Sequence, residues 1–428
     1  MQMRICVIGA GAAGLCAGRH MIYFPEKYHF VIFEQTSDVG GTWNYNDKTG
    51  LDEYNVPIHS SMYKNLRTNV PKEIMGYPDF PFTNDGKSFT HHTQVLEYLK
   101  NYAKEHRLRD NIKFRSRVKS IEPKEIQGNK RIWKVNVTNL ETGVDTEYEF
   151  DGIMVCNGHF SVPNIPQIEN INDFKGIQTH SHSYREPEIY KGKTIVVLGA
   201  GSSGMDIAIE VSKFAKQIYL SHNHAKHSSE LPENIIQKPG IKLATEDGFY
   251  FLDDSFIKAD VLLYCTGYQY DFPFLTENCK VKISGNRVTP LYKHLIHMDY
   301  PELCFVGLPF TVLPFPFFHY QVLYYLKCLE GKVVKLPDKK KMKEESEKDY
   351  NKRIVEMKMP PKHAHKMGPL QWEYFEDLGK LVNIGNLPPV YKMVYNFVEQ
   401  QRINNVMFYK KEDYKVLNEE EYVRLMPE

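Results

Sequence analysis

The residues with the plainest capacity for chemistry are two sets of glycines. Gly9-Ala10-Gly11-Ala12-Ala13-Gly14 and Gly199-Ala200-Gly201-Ser202-Ser203-Gly204 share the pattern Gly-x-Gly-x-x-Gly. In each, the first glycine permits a tight turn, the second lets backbone approach a pyrophosphate, and the third lets a helix pack on a strand. The helix N-terminus then turns its free N–H groups toward the phosphates. One such pattern is weak evidence. Two on one chain point to two dinucleotide sites, and the residues that follow tell them apart. Glu34 lies 20 residues past Gly14, placed to hold a ribose diol. After the second set no acid occurs between Glu210 and Glu230, where His222, Asn223, His224 and Lys226 stand instead. That absence favours a 2′-phosphate, which assigns NADP to the second site and leaves FAD to the first. The implied chemistry is electron transfer from a nicotinamide to a bound flavin.

These residues need strands and helices to hold them. Residues 5–8 are an apolar run that reads as a buried parallel strand, and residues 15–21 have helical composition. A second strand is predicted over 30–34. The same order recurs with a strand over 193–198, a helix over 205–214 and a strand over 217–221. Between the two units, residues 112–121, 131–138 and 146–156 read as a small antiparallel meander, with Trp133, Val135 and Val137 alternating. Strands over 259–264 and 304–307 and a helix over 317–329 return the chain to the first sheet. The expected fold class is α/β, with two Rossmann-like dinucleotide-binding domains and the FAD domain discontinuous. Its division is 1–165 for the first part of the FAD domain, 166–270 for the NADP domain, and 271–428 for the second part with a C-terminal helical region. Residues 335–352 read as a solvated helix of mixed charges with i,i+4 pairs. The last seventy residues carry no assignable chemistry.

The totals narrow the class. Of 428 residues, 42% are hydrophobic and 25% charged, and the net charge of +1 implies no nucleic-acid partner. Seven cysteines without a C-x-x-C pair argue against a disulfide framework or zinc site and for a reducing compartment. With no cysteine between Cys16 and Cys156, a disulfide reductase is excluded, so the electrons go to O2. No metal site is expected: His91-His92 lacks further ligands at metal spacing. The first strand begins too early for a leader, and Pro309, Pro314, Pro316, His319 and Gln321 interrupt the apolar stretch 303–329. The expectation is a soluble cytoplasmic protein without a membrane anchor.

Between the two glycine loops lies Phe174-Lys-Gly176-Ile-Gln-Thr-His180-Ser-His-Ser-Tyr184. This stretch resembles the F-x-G-x-x-x-H-x-x-x-[Y/F] fingerprint of the flavin-containing monooxygenases at every defined position. Gly40-Gly41-Thr42-Trp43, Thr68-Asn69-Val-Pro-Lys-Glu73 with Pro78-Asp-Phe-Pro-Phe82, and Cys265-Thr-Gly-Tyr268 also resemble that family. The resemblance spans residues 3 to 330. The chain looks like the shorter, anchor-free insect members, some of which N-oxygenate plant pyrrolizidine alkaloids in detoxification.

The resemblance implies a mechanism. NADPH reduces FAD, NADP+ stays bound, and O2 adds to give a C4a-hydroperoxide that oxygenates a soft nucleophile, a tertiary amine or sulfide. The cofactor carries the hard chemistry and the protein supplies placement and exclusion of solvent. By the same resemblance, Gly9, Gly11, Ala12, Ala13, Gly14 and Glu34 hold the ADP part of FAD. Gly41, Thr42 and Trp43 lie near its phosphate–ribityl region, and Thr68 and Asn69 stand at the flavin–nicotinamide junction. Asn69 is the implied catalytic residue, through an amide that can both donate and accept. Gly199, Gly201, Ser202, Ser203, Gly204 and Asp206 contact NADP. The chain departs from the family where arginines often follow the second strand, having His222, Asn223 and His224, so the reader of the 2′-phosphate is open. His180 and Tyr184 are expected to organise the inter-domain turn. Two rivals stand beside this reading. Baeyer–Villiger monooxygenases carry Trp at the place of Tyr184, and an NADP(H)-sensing flavin-binding module would carry out no oxygenation. Substrate identity and any homo-oligomer are not legible.

Overall fold

The computed structural model describes residues 2–83, 85–126 and 130–426. Strand β1 (Met3–Ile8) is buried from Ile5 onward because it is covered on both faces, as parallel sheets require. It pairs in parallel with β2 (Tyr28–Phe33) on one side and with Gly152–Val155 on the other. The helix between them, α1 (Ala12–Ile22), is buried almost all round, which is why its sequence shows only a weak polar face. The sheet grows to seven strands by adding Ile112–Lys113, Leu303–Phe305, Ile296–His297 and Leu291–Tyr292. Its strands thus come from both ends of the chain, as the expected discontinuity requires.

A second sheet of five parallel strands is built from the intervening residues. Its order is Ile235–Lys238, Gln217–Ser221, Thr194–Leu198, Val261–Tyr264, Ile177–His180. The strand that carries the His180 fingerprint is therefore an edge of this sheet. The expected meander is present as Ser116–Ile126, Lys130–Asn139 and Asp145–Phe150. Another antiparallel sheet over Ile241–Ala244, Gly248–Phe251 and Phe256–Lys258 was not foreseen, because its strands are short and half exposed.

The helix Pro314–Glu330 packs on α1 and on Leu370–Val382. It begins three residues before the sequence expectation, since Pro is tolerated in a first helical turn. No helix among the described residues is long and apolar enough to cross a membrane. The expected solvated helix runs Lys339–Asn351, but its charges do not mainly pair along its own face. Glu347 pairs with Arg287 at 3.0 Å, Asp349 with His294 at 3.0 Å, and Glu345 accepts from the Tyr292 hydroxyl at 2.7 Å. Tertiary neighbours outcompete i,i+4 partners because these acids lie over the edge of the first sheet. The C-terminal helix Pro389–Asn404 is followed by the hairpin Asp413–Val416 and Tyr422–Leu425. Asp413 seats that hairpin on the Ser88 N–H at 2.8 Å, carrying the end of the chain back to the first domain's loops.

Candidate active site

The two glycine loops are near copies in three dimensions. Gly9 and Gly199 turn the chain at φ of 99° and 108°, in the left-handed region that favours glycine. Gly11 (φ −74°, ψ −173°) and Gly201 (φ −73°, ψ −170°) then start the helices. A Cβ on Gly14 would stand 1.8 Å from the Gly9 carbonyl, and one on Gly204 would stand 1.9 Å from that of Gly199. Each third glycine is thus required by helix–loop packing. Neither helix has an acid in its first turn, so both N-termini are electrostatically open to phosphate.

The loops differ in what faces them. Around Gly201 a Cβ would meet nothing within 4 Å, which leaves room for a ligand against the backbone. Gly11 instead faces the Gly40–Trp43 turn: the Gly40 N–H donates to the Ala10 carbonyl at 3.0 Å, and a Cβ on Gly41 would stand 2.9 Å from the Gly11 Cα. The two loops pack directly against each other at this point. The Thr42 hydroxyl is buried there without a hydrogen-bond partner, although its own carbonyl accepts from Ser60 at 2.7 Å. A buried hydroxyl with no partner costs free energy unless a ligand completes it. Trp43 packs against the main core beside it. Ala12 and Ala13 are buried in the first turn of α1, and the Tyr77 hydroxyl holds the Ala12 carbonyl at 2.6 Å.

Glu34 ends β2 beside the first loop, nearly fully buried. One carboxylate oxygen accepts from the Ala10 N–H at 2.8 Å, and the other from the N–H and hydroxyl of Thr36, each at 2.8 Å. These bonds fix its direction and leave lone pairs over. A helix N-terminus without an acid, an unpaired hydroxyl and a fixed acid fit the pyrophosphate, the chain and the ribose of FAD. The open Gly201 cradle fits the second dinucleotide.

Thr68 is buried and locked to Thr90, whose N–H it accepts at 3.1 Å. Asn69 is half buried, and its Oδ1 accepts from the Tyr409 hydroxyl at 3.1 Å. Asp206, one turn into the second glycine helix, accepts from Lys410 Nζ at 2.5 Å and from the Tyr63 hydroxyl at 3.3 Å. Ser202 accepts from Arg402 at 2.7 Å, while Ser203 is half exposed on the same turn. Segment 402–410 therefore crosses from the second glycine helix to Asn69. Burial pushes the Lys410 ammonium below its usual range, with Asp206 opposing. Nothing local in the sequence marks Arg402, Tyr409 or Lys410, so reading in order gave no reason to bring them to the site.

The fingerprint residues lie at the junction of the sheets. His180 Nδ1 accepts from the His182 N–H at 3.0 Å, and its Nε2 contacts the Gly267 carbonyl at 3.1 Å, which fixes Nε2 as the donor. Burial lowers the His180 pKa to about 4. Tyr184 is fully buried and donates to Glu210 at 2.7 Å. Tyr268 of Cys265-Thr-Gly-Tyr268 packs edge-on to His180 at 5.2 Å. These contacts are architectural.

His91 and His92 both contact the Lys64 carbonyl, at 2.9 and 3.2 Å. His20, Asp79 and His319 bring three ligand atoms within 4.8 Å of one another, but Arg19 pairs with Asp79 and reaches His20 Nδ1 at 3.3 Å. That leaves His20 Nε2 as the proton donor to His319 Nδ1 at 3.2 Å. A cavity of 620 Å³ between residues 287–299 and the helices after residue 339 lies away from both glycine loops.

A family model for flavin-binding monooxygenase-like proteins matches residues 2–228 and 224–408. The chain belongs to this family. It is therefore a flavin-dependent monooxygenase. It is 39% identical to flavin-containing monooxygenase FMO GS-OX-like 1 of Arabidopsis thaliana, over 84% of this chain and 78% of that one. Against the senecionine N-oxygenase of Tyria jacobaeae it is 32% identical, over 98% of this chain and 91% of the relative. The structure of S-allyl-L-cysteine S-oxygenase from Allium sativum superposes with a TM-score of 0.88 at 32% identity, covering 96% of each chain.

Proposed function

We propose that this monooxygenase transfers one atom of O2 to a soft nitrogen or sulfur nucleophile, using FAD at the first glycine loop and NADPH at the second. The observation that carries this reading is the pair of matching cradles with opposite companions. Glu34 stands fixed beside the first, and a histidine-rich loop without an acid follows the second strand. Gly9, Gly11, Ala12, Ala13 and Gly14 hold the FAD pyrophosphate, Glu34 the adenosine ribose, and Gly41, Thr42 and Trp43 the chain toward the flavin. Gly199, Gly201, Ser202, Ser203 and Gly204 hold NADP, with Asp206 acting through Lys410 rather than on the ligand. The domain division stays as 1–165, 166–270 and 271–428.

Bound flavin, once reduced, supplies the activated oxygen. The chain's own task is placement. Asn69 offers amide N–H groups where flavin and nicotinamide meet, Thr68 keeps that turn rigid through Thr90, and the aromatic core behind Tyr77 keeps water from the first loop. A nucleophilic substrate brings its own lone pair, so no acid–base pair is needed. The acid-free loop after the second strand, with His224 and Lys226 exposed, is where the 2′-phosphate is met, and buried His222 braces that loop by donating its Nε2–H to Gln237 Oε1 at 3.2 Å. The N-oxygenating and S-oxygenating relatives support the substrate class.

The test is stoichiometry. Purified protein loaded with FAD is given NADPH, O2 and a panel of tertiary amines and thioethers. An N-oxide or S-oxide in proportion to NADPH consumed is the expected result. Ester from a ketone would move the enzyme to the Baeyer–Villiger class, and NADPH binding without oxygenated product would make it a sensing module.

A further inference from the structure

Residues 402–410 come from the part of the chain with no motif, yet they touch both nucleotide sites. Arg402, on the C-terminal helix, reaches Ser202 Oγ in the first turn of the second glycine helix at 2.7 Å, and pairs with Glu399 at 2.5 Å. Tyr409 is buried, and its hydroxyl stands 3.1 Å from Asn69 Oδ1.

Asparagine's oxygen and nitrogen cannot be told apart by shape and are set by the network around them. Here the Tyr409 hydroxyl donates to Asn69 Oδ1, so the oxygen faces the C-terminal segment and both amide N–H groups are left for a ligand. Without the phenol the amide could turn over and present a lone pair instead.

We propose that Tyr409 is the positioning residue that keeps the Asn69 amide turned as a donor. This rests on the assignment of Asn69 and of the second loop made above.

The test uses the FAD-loaded enzyme and two readouts. Calorimetry gives NADP+ affinity, and product analysis gives the share of NADPH electrons lost as H2O2. Tyr409→Phe is expected to change NADP+ affinity by no more than about twofold while raising the H2O2 share several-fold. Adding Tyr409→Phe to Asn69→Ala is expected to change nothing further, because contacting residues in one network are not additive. An unchanged H2O2 share in Tyr409→Phe, with Asn69→Ala strongly uncoupled, would overturn the positioning role. If Asn69→Ala itself leaves the H2O2 share unchanged, the assignment of Asn69 falls, and this inference with it.

Discussion

Lys410 Nζ sits 2.5 Å from the Asp206 carboxylate, across 204 positions of sequence, and the two side chains are only 20% and 19% exposed. An ion pair so far from water is held by geometry rather than by salt-screened attraction. Removing one partner strands the other charge. Lys410→Met is expected to cost about 3 kcal/mol, the lower end for a broken buried pair. Adding Asp206→Asn should recover part of it. Denaturant midpoints of the three proteins check this, and a Lys410→Met midpoint equal to the parent's would show the pair to be hydrated.

Alanine at Gly204 and at Gly201 should part company. At Gly204 a Cβ meets backbone at 1.9 Å, so the helix must shift and the melting temperature should fall sharply. At Gly201 a Cβ meets nothing within 4 Å, so the fold should hold and only the space for pyrophosphate is lost. NADP+ affinity in Gly201→Ala should drop by about tenfold or more, equivalent to about 1.4 kcal/mol. A Gly201→Ala enzyme that binds NADP+ normally would place the pyrophosphate elsewhere.

Lys226→Ala should narrow the preference for NADPH over NADH by about tenfold in kcat/KM, again near 1.4 kcal/mol. The reason is that Lys226 is an exposed cation in the acid-free loop that follows the second strand. NADH use should be unaltered. Equal losses with both cofactors would mean that Lys226 supports the loop and does not read the phosphate.

Burial holds His180 near a pKa of about 4 when folded, against about 6.5 for a free imidazole. Between those values the unfolded chain binds a proton that the folded chain does not. Stability is therefore full above about pH 6.5 and falls as pH drops through the window. His92, His159 and His297, each lowered to about 4 by burial, act in the same sense. Protonating His180 Nδ1 would also end its acceptance of the His182 N–H. His180→Gln should make the loss of stability between about pH 7.5 and 5 smaller by one proton's slope. Denaturant midpoints at the two pH values measure it, and an equal loss in both proteins would mean that His180 is charged in the fold.

The chemistry that depends on short spacing was legible along the chain. A glycine loop is built from residues within a few positions of one another, so strand, turn and helix could be read in order, twice, with the terminal Glu34 after the first alone. The discontinuous first domain was also legible, since buried strands such as Leu303–Phe305 announce themselves by apolar runs. What only the tertiary structure decided is everything that rests on distant side chains. The charged helix Lys339–Asn351 gave Glu347 to Arg287 and Glu345 to Tyr292, and shared Asp349 between His294 and its i,i+4 partner Arg353, because propensity cannot see a neighbouring sheet. Short strands such as Phe256–Lys258 lacked a pattern long enough to register. Arg402, Tyr409 and Lys410 had no motif at all. They reach Ser202, Asn69 and Asp206 only because the C-terminal helix and the turn after it fold back there, and hydrogen bonds across 200 to 340 positions are set by that packing alone.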